Sequence, residues 1–445
     1  ANGISCVGNP IIFTITVNPS AQVNQPSNLI ICASDNVPTI ALTTSNTIGT
    51  TTYSWSNDTP SIGLAASGNG DIPFFTATNS TSGPITATVT VIPFYTDGTK
   101  SCSGPSKTFT IIVNPAADVI QPNDLTYCSG TVTSVINFST SNTNGSTTYS
   151  WSSNNTAIGI AASGNGAIPT FTTLNTTSQP IVATISVVPS FTNDGVICTG
   201  ITKTFTITVN PIPTMVQPTG IEVCSGETIP EIQFSTLNTV GVTSYGWNNS
   251  NAAIGLATSG IGSVPSFITQ NATTSQITAT ITTTPTFTYN GEACIGQPTS
   301  FQIAVNASPN GTITGSTSIC VNAVQPLLTF TGTSGTAPFT FTYNLNNGIP
   351  QTITTTSGNS ITLAVPTTTL GTFIYELISI QDSNSVACTT TLSQTATVIV
   401  YPLPTISTQP LSAQSICEGG TISALSVAYS GGTGTATYQW FSNTS

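Results

Sequence analysis

The chain has no histidine and no arginine, and Lys100, Lys107 and Lys203 are its only basic side chains. Charged residues make up 4% of it, against about 25% in typical soluble domains. Each shortage excludes something. Serines abound, but no imidazole exists to activate one as a nucleophile. The few acidic residues do not recur at shared positions, so paired carboxylates of the glycosidase kind are absent too. A net charge of −11 with so few cations argues against a nucleic-acid partner and against an anionic membrane surface. No apolar run is long enough to span a bilayer, so no membrane insertion is expected in this segment. Neither an initiator methionine nor a signal peptide opens the chain.

What the sequence does have is a period of 96 residues. Cys6, Cys102, Cys198 and Cys294 keep that step, as do Cys32, Cys128, Cys224 and Cys320, and Trp55, Trp151 and Trp247. A period this long is the size of one domain rather than of a solenoid or propeller unit, so the chain reads as a string of beads with separate cores. Residues 1–19 align with 97–115, which marks them as the C-terminal remnant of a preceding repeat. Full repeats are expected at 20–115, 116–211 and 212–307, a diverged fourth at 308–402, and the N-terminal part of a truncated fifth at 403–445. The chain is expected to be a window of a longer protein.

Within each bead the pattern is β. Ile85, Ala87, Val89 and Val91 alternate with Thr86, Thr88, Thr90 and Ile92, and Phe109, Ile111 and Val113 with Thr108, Thr110 and Ile112, which is the period of half-buried strands. Asp97-Gly98, Asp194-Gly195 and Asn290-Gly291 mark tight hairpins. About 96 residues with seven or eight short strands and an early tryptophan predict an immunoglobulin-like β-sandwich. The fold class expected is all-β: tandem immunoglobulin-like or PKD-like sandwiches arranged end to end. The linkers are expected at Asn18-Pro19, Asn114-Pro115, Asn210-Pro211 and Tyr401-Pro402.

Ten cysteines without histidine or a C-x-x-C pair read as disulfides rather than a metal site. Two pairings fit the spacing. Within beads, Cys32–Cys102, Cys128–Cys198, Cys224–Cys294 and Cys320–Cys388 would bond, leaving Cys6 and Cys417. Between beads, Cys6–Cys32, Cys102–Cys128 and their successors would use all ten. The strand after Cys102 carries the chain roughly 25–30 Å at about 3.3 Å per residue, away from the roughly 7 Å a disulfide tolerates. That favours the within-bead set.

The phrases Tyr127-Cys-Ser-Gly130 or Val223-Cys-Ser-Gly226, then Tyr-x-Trp, then Cys102-Ser-Gly104, Cys198-Thr-Gly200 or Cys294-Ile-Gly296, then Phe-Thr-Ile-x-Val-Asn-Pro, resemble the PKD-like and Ig-like repeats of giant Bacteroidetes surface proteins. The nearest resemblance is to gliding-motility adhesins exported by type IX secretion. It implies an extracellular, cell-surface filament segment that is not an enzyme and carries no cofactor. Its implied partners are an external substratum or surface glycans, together with the secretion and motility machinery. A passive stalk and a carbohydrate-binding array are the alternatives.

Other signals have plainer readings. Ala66-Ser-Gly-Asn-Gly70 contains G-x-G, but Pro73 follows and no helix does, so it reads as a turn and not a phosphate cradle. Asp97, Asp194 and Glu292 offer too few oxygens for calcium. Lys107 and Lys203 read as strand lysines. The three tryptophans are expected in the core rather than on a sugar-stacking face. Sequons at Asn57, Asn79, Asn137 and Asn175 are expected by chance in so Asn- and Thr-rich a chain.

Overall fold

The computed structural model of the chain describes residue 3, residues 5–432 and residues 435–442. Residues 1, 2, 4, 433, 434 and 443–445, parts of the expected terminal pieces, lie outside the described residues. The protein is all-β, a tandem series of immunoglobulin-like sandwiches; among the described residues the helical turns are three short 3-10 turns. Two compact units are present, Ala1–Ile212 with Thr288–Cys294, and Pro213–Phe287 with Ile295–Ser445.

In the first unit, the first bead has strands β1 (Leu29–Cys32), β2 (Asn36–Val37), β3 (Thr50–Asn57), β4 (Ser67–Asn69), β5 (Phe75–Thr76), β6 (Ile85–Thr96), β7 (Ser101–Ser103) and β8 (Lys107–Asn114). The main sheet runs β1-β8-β6-β3-β4, with β7 also on β6. The facing layer is slight: the β2–β5 pair and an isolated Ile40–Ile72 bridge. The second bead repeats this with β9 (Leu125–Cys128), β10 (Ser146–Ser153), β11 (Ser163–Asn165), β12 (Ile181–Asn193), β13 (Val196–Thr199) and β14 (Lys203–Asn210), ordered β11-β10-β12-β14-β9.

The alternation seen in the sequence sorts the side chains. Ala87, Val89 and Val91 of β6 and Phe109, Ile111 and Val113 of β8 are buried in one cluster with Trp55, Ile62 and Leu64, while the intervening threonines face outward. Burying each Val, Leu, Ile or Phe among them is worth roughly 1.5–3 kcal/mol. Pro93 lies inside β6, where β6 exchanges β8 for β7 as its partner. A missing N–H costs least at such a break in the ladder. The same motif at the start of the chain behaves differently. Phe13, Ile15 and Val17 match Phe109, Ile111 and Val113 but are 73–86% exposed, and no strand is assigned among residues 5–19. Tyr438-Gln-Trp440, whose Tyr-x-Trp pattern matches that of Tyr53 and Trp55, is likewise outside any strand, and Trp440 is exposed.

Polar anchors in these beads need an oxygen and not a charge. Asp58, Asn154 and Ser250 occupy one repeat position, and each accepts from the equivalent threonine amide, Thr88 (2.7 Å), Thr184 (2.8 Å) and Thr280 (2.8 Å). Asparagine and serine do the work of aspartate here, so the low charge leaves the ladder satisfied.

In the second unit, the third bead's core gathers Trp247, Ile254, Leu256, Val264, Ile281, Phe301 and Ile303. The diverged bead that follows has two well-developed sheets. One is Asn310–Thr314, Leu327–Ser334 and Ser360–Ala364; the other is ordered Thr317–Cys320, Thr389–Tyr401, Gly371–Gln381, Thr340–Leu345 and Gln351–Thr354. Phe330, Phe339, Phe341 and Leu377 lie between them.

Candidate functional site

Strand direction decides where each cysteine sits. β1 pairs with β8 in parallel, with Cys32 opposite Asn114, the last residue of β8. Cys32 is therefore at the pole where the chain leaves the bead. Cys102 is on β7, opposite Tyr95 of β6, ahead of the start of β8. It lies at the pole where the chain enters. The eight residues of β8 separate the two by roughly 26 Å at about 3.3 Å per residue.

The disulfides follow from this. Cys32 bonds Cys198, Cys128 bonds Cys294 and Cys224 bonds Cys388, with Cα–Cα distances of 5.5, 5.5 and 5.6 Å. The expected within-bead pairs Cys32–Cys102, Cys128–Cys198, Cys224–Cys294 and Cys320–Cys388 do not form, and neither do the short cross-linker pairs such as Cys102–Cys128. Cys102 and Cys320 are free thiols, half-buried, and Cys6 and Cys417 are free and exposed. The physical reason is the length of the last strand: within a bead the two cysteines are at opposite poles, whereas one bead's exit cysteine meets the next bead's entry cysteine. The sequence signal was the constant separation of 166, 166 and 164 residues, which survives even into the diverged fourth bead. What hid it was the parallel β1–β8 pairing, which no residue pattern announces.

Each disulfide is the centre of a built joint. In the first, the amide of Cys32 donates to Asp35 (2.8 Å) and that of Ala33 to the Asn114 carbonyl (2.9 Å). The fully buried Asn114 accepts from Asn193 Nδ2, at the tip of the β12–β13 hairpin, at 3.0 Å. A second seam lies alongside, where Thr143 N donates to the Ser82 carbonyl at 2.9 Å. In the second joint, Asn210 Nδ2 donates to the Tyr289 carbonyl at 3.0 Å. In the third, Glu222 accepts from Asn306 (3.0 Å) and from Ser385 (2.5 Å). The Ser385 hydroxyl, followed by the Asn306 amide, holds this exposed carboxyl below its usual value of 4.5.

The Cys-x-Gly motif belongs to the same pole. Gly104, Gly200 and Gly296 each donate to the proline carbonyl of the long strand, Pro93 (2.9 Å), Pro189 (3.0 Å) and Pro285 (2.8 Å). A Cβ on Gly104 would stand 1.7 Å from the Ala21 carbonyl oxygen, and one on Gly200 1.8 Å from that of Ala117. Only glycine lets the bead's entering segment cross the hairpin so closely.

The remaining candidates resolve into structure. Trp55, Trp151 and Trp247 are 3–4% exposed, each lying over a glycine of the adjacent edge strand, so none forms a platform. The G-x-G segments are edge strands ending in turns, with Gly70 and Gly166 at φ +74° and +71°. Asp97 accepts from the Lys100 amide, from Asn18 and from Thr99, and those bonds hold its carboxyl far below the usual range. Among the described residues, no three acidic or cysteine side chains are grouped as metal ligands. Lys203 reaches Asp118 (3.2 Å) and the Val119 carbonyl (2.6 Å), while Lys107 is exposed. The sequons at Asn79 and Asn175 are clips: Asn175 Nδ2 donates to the carbonyls of Gln179 (2.8 Å) and Val209 (2.7 Å), while its Oδ1 accepts from Thr177. Asn271 does the same. Asn57 is buried with its amide on the Leu64 carbonyl (3.0 Å); Asn137 is exposed.

No protein-family model matches the chain, and no curated protein is similar to it. Solved structures similar to it are multi-domain β-sandwich chains. Mouse cadherin-23 EC22-24 is 10% identical, covering 65% of this chain and 100% of its own, at a TM-score of 0.33. A three-Ig segment of titin is 12% identical, covering 64% and 98%, at 0.36. Sidekick-1 immunoglobulin domains 1-5 are 11% identical, covering 85% and 80%, at 0.24. At such scores nothing about activity follows, and the fold rests on the sheets described above.

Proposed function

We propose that this chain is a non-catalytic repeat segment of a cell-surface adhesin, working outside the cell in attachment and gliding motility as a type IX secretion substrate. The observation that carries the reading is the repeated joint. The same two cysteine positions link one bead to the next three times over, an arrangement suited to beads used in series and to an oxidising compartment. Faces rich in hydroxyl and amide groups would meet a substratum or surface glycans through short-range hydrogen bonds. Low charge density gives little long-range steering. Weak contacts repeated along a chain can multiply avidity by roughly 10²–10⁴.

The joints equally favour a stalk that holds a separate binding head at a distance. A glycan-binding array built on Trp55, Trp151 and Trp247 has less support, since all three are buried. The test is deletion of residues 116–211, one whole period, which leaves Cys32 facing Cys294 in the shortened chain. The adhesin reading expects a graded fall in attachment as further periods are removed. Unchanged attachment after several deletions would favour the stalk. Abrupt loss on removing one bead would overturn the reading and point to a discrete binding site.

A further inference from the structure

The three disulfides close loops of 166, 166 and 164 residues, and the loops interlace. The loop from Cys32 overlaps the loop from Cys128, which in turn overlaps the loop from Cys224. Every peptide bond between Cys32 and Cys388 therefore lies inside at least one closed loop. We propose that this interlacing gives the chain a mechanical function: it is a strap of short covalent reach whose tryptophan-bearing segments are shielded from tension.

The argument is one of covalent path. Tension entering at Cys32 crosses the disulfide to Cys198, follows the chain to Cys224, and crosses the next disulfide to Cys388. The run from Cys198 to Cys224 is about 26 residues, roughly 90 Å when fully extended at about 3.3–3.6 Å per residue. Those residues include one last strand and one first strand, Lys203–Asn210 and Ile221–Cys224. The backbone route between the same two cysteines is about 356 residues, roughly 1,200 Å. The Cys128–Cys294 disulfide adds a longer covalent route, reached from Cys32 only through residues 33–128, so the short route takes up the load first. Residues 33–101, 129–197 and 225–293, which carry Trp55, Trp151 and Trp247, are off the short route, while Phe205, Ile207 and Val209 of the second bead's core are on it.

The joint hydrogen bonds fit this use. Asn114, Asn210 and Asn306 are fully buried at the ends of the last strands, each opposite the disulfide-bonded cysteine in register. This function does not depend on whether the surface binds anything, so its failure would leave the attachment reading standing.

Single-molecule stretching of the whole chain, tethered through its two ends, tests it. In the oxidised chain the Cys32–Cys388 stretch is expected to reach no more than about 100 Å, with no bead-sized steps from that region. After reduction the same stretch is expected to lengthen about twelvefold, in steps of roughly 300 Å per bead. Cys32→Ser opens the first loop alone and makes the shortest covalent route about 166 residues, so an intermediate limit of roughly 560 Å is expected. Should that variant fold poorly, the parent chain, folded oxidised and then reduced on the tether, makes the same comparison. Bead-sized steps in the oxidised chain, or equal lengths before and after reduction, would overturn the proposal.

Discussion

Replacing Gly164 with alanine adds one methyl at the place where β11 crosses the second bead's tryptophan. Trp151 is opposite Gly164 in register, flanked by the Ser150–Asn165 and Ser152–Ser163 pairs. The new Cβ would lie 2.5 Å from Trp151 Cζ2, about 1 Å closer than ordinary contact. The indole cannot yield, because Ile158, Ile160 and Ile168 pack in the same cluster. The edge strand can, since β11 is three residues long and pairs on one side only. Overpacking of this kind costs roughly 1–3 kcal/mol, and peeling a strand with so few bonds sets a similar ceiling. Hydrogen exchange over residues 146–165 should then quicken about 5- to 150-fold, since about 1.4 kcal/mol is a factor of ten. In a Trp151→Leu background the same change should cost under about 0.5 kcal/mol, because the group it strikes has gone. Unaltered exchange in Gly164→Ala, or the same cost in both backgrounds, would refute the reasoning. Gly68 over Trp55 and Gly260 over Trp247 should behave alike.

Other outcomes follow from single groups. Asn175→Ala removes both donations to Gln179 and Val209 and should destabilise the second bead by roughly 1–3 kcal/mol in urea unfolding; a neutral result would deny the clip. Glu222 has a lowered carboxyl pKa in the folded chain, so its contribution is present above its unfolded value and fades as pH falls through the folded one. Exchange around Ser385 should therefore rise between about pH 5 and pH 3, while the first joint, with Ile30 at the equivalent position, should show no matching change around Asn193. Thiol labelling of the folded, unreduced chain should modify Cys6, Cys102, Cys320 and Cys417 and spare the other six; labelling of Cys32 or Cys198 would contradict the joints.

Strand class and core tryptophans were legible in the sequence because they depend on local periodicity and burial. Phe109, Ile111 and Val113 alternate in the sequence and are buried together in the fold. The hairpins were legible through residues that tolerate positive φ, and Asp194-Gly195 and Asn290-Gly291 adopt it at both positions. Three-residue β7 was not, since Ser101–Ser103 is too short to show a period, and it is the strand that carries Cys102 to the entry pole. The cysteine pairing was not legible for a related reason. The rise along Lys107–Asn114 separates Cys102 from Cys128, and it equally separates Cys32 from Cys102. The meaning of Cys-x-Gly and of Asn-x-Thr was hidden because both depend on segments distant in sequence, Ala21 over Gly104 and Val113 over Asn79.

The account stands on the joints, and non-reducing digestion with mass spectrometry of the linked peptides reads them directly. It should recover Cys32 with Cys198, Cys128 with Cys294 and Cys224 with Cys388, each separating on reduction. Recovery of Cys32 with Cys102, or of Cys102 with Cys128, would contradict it.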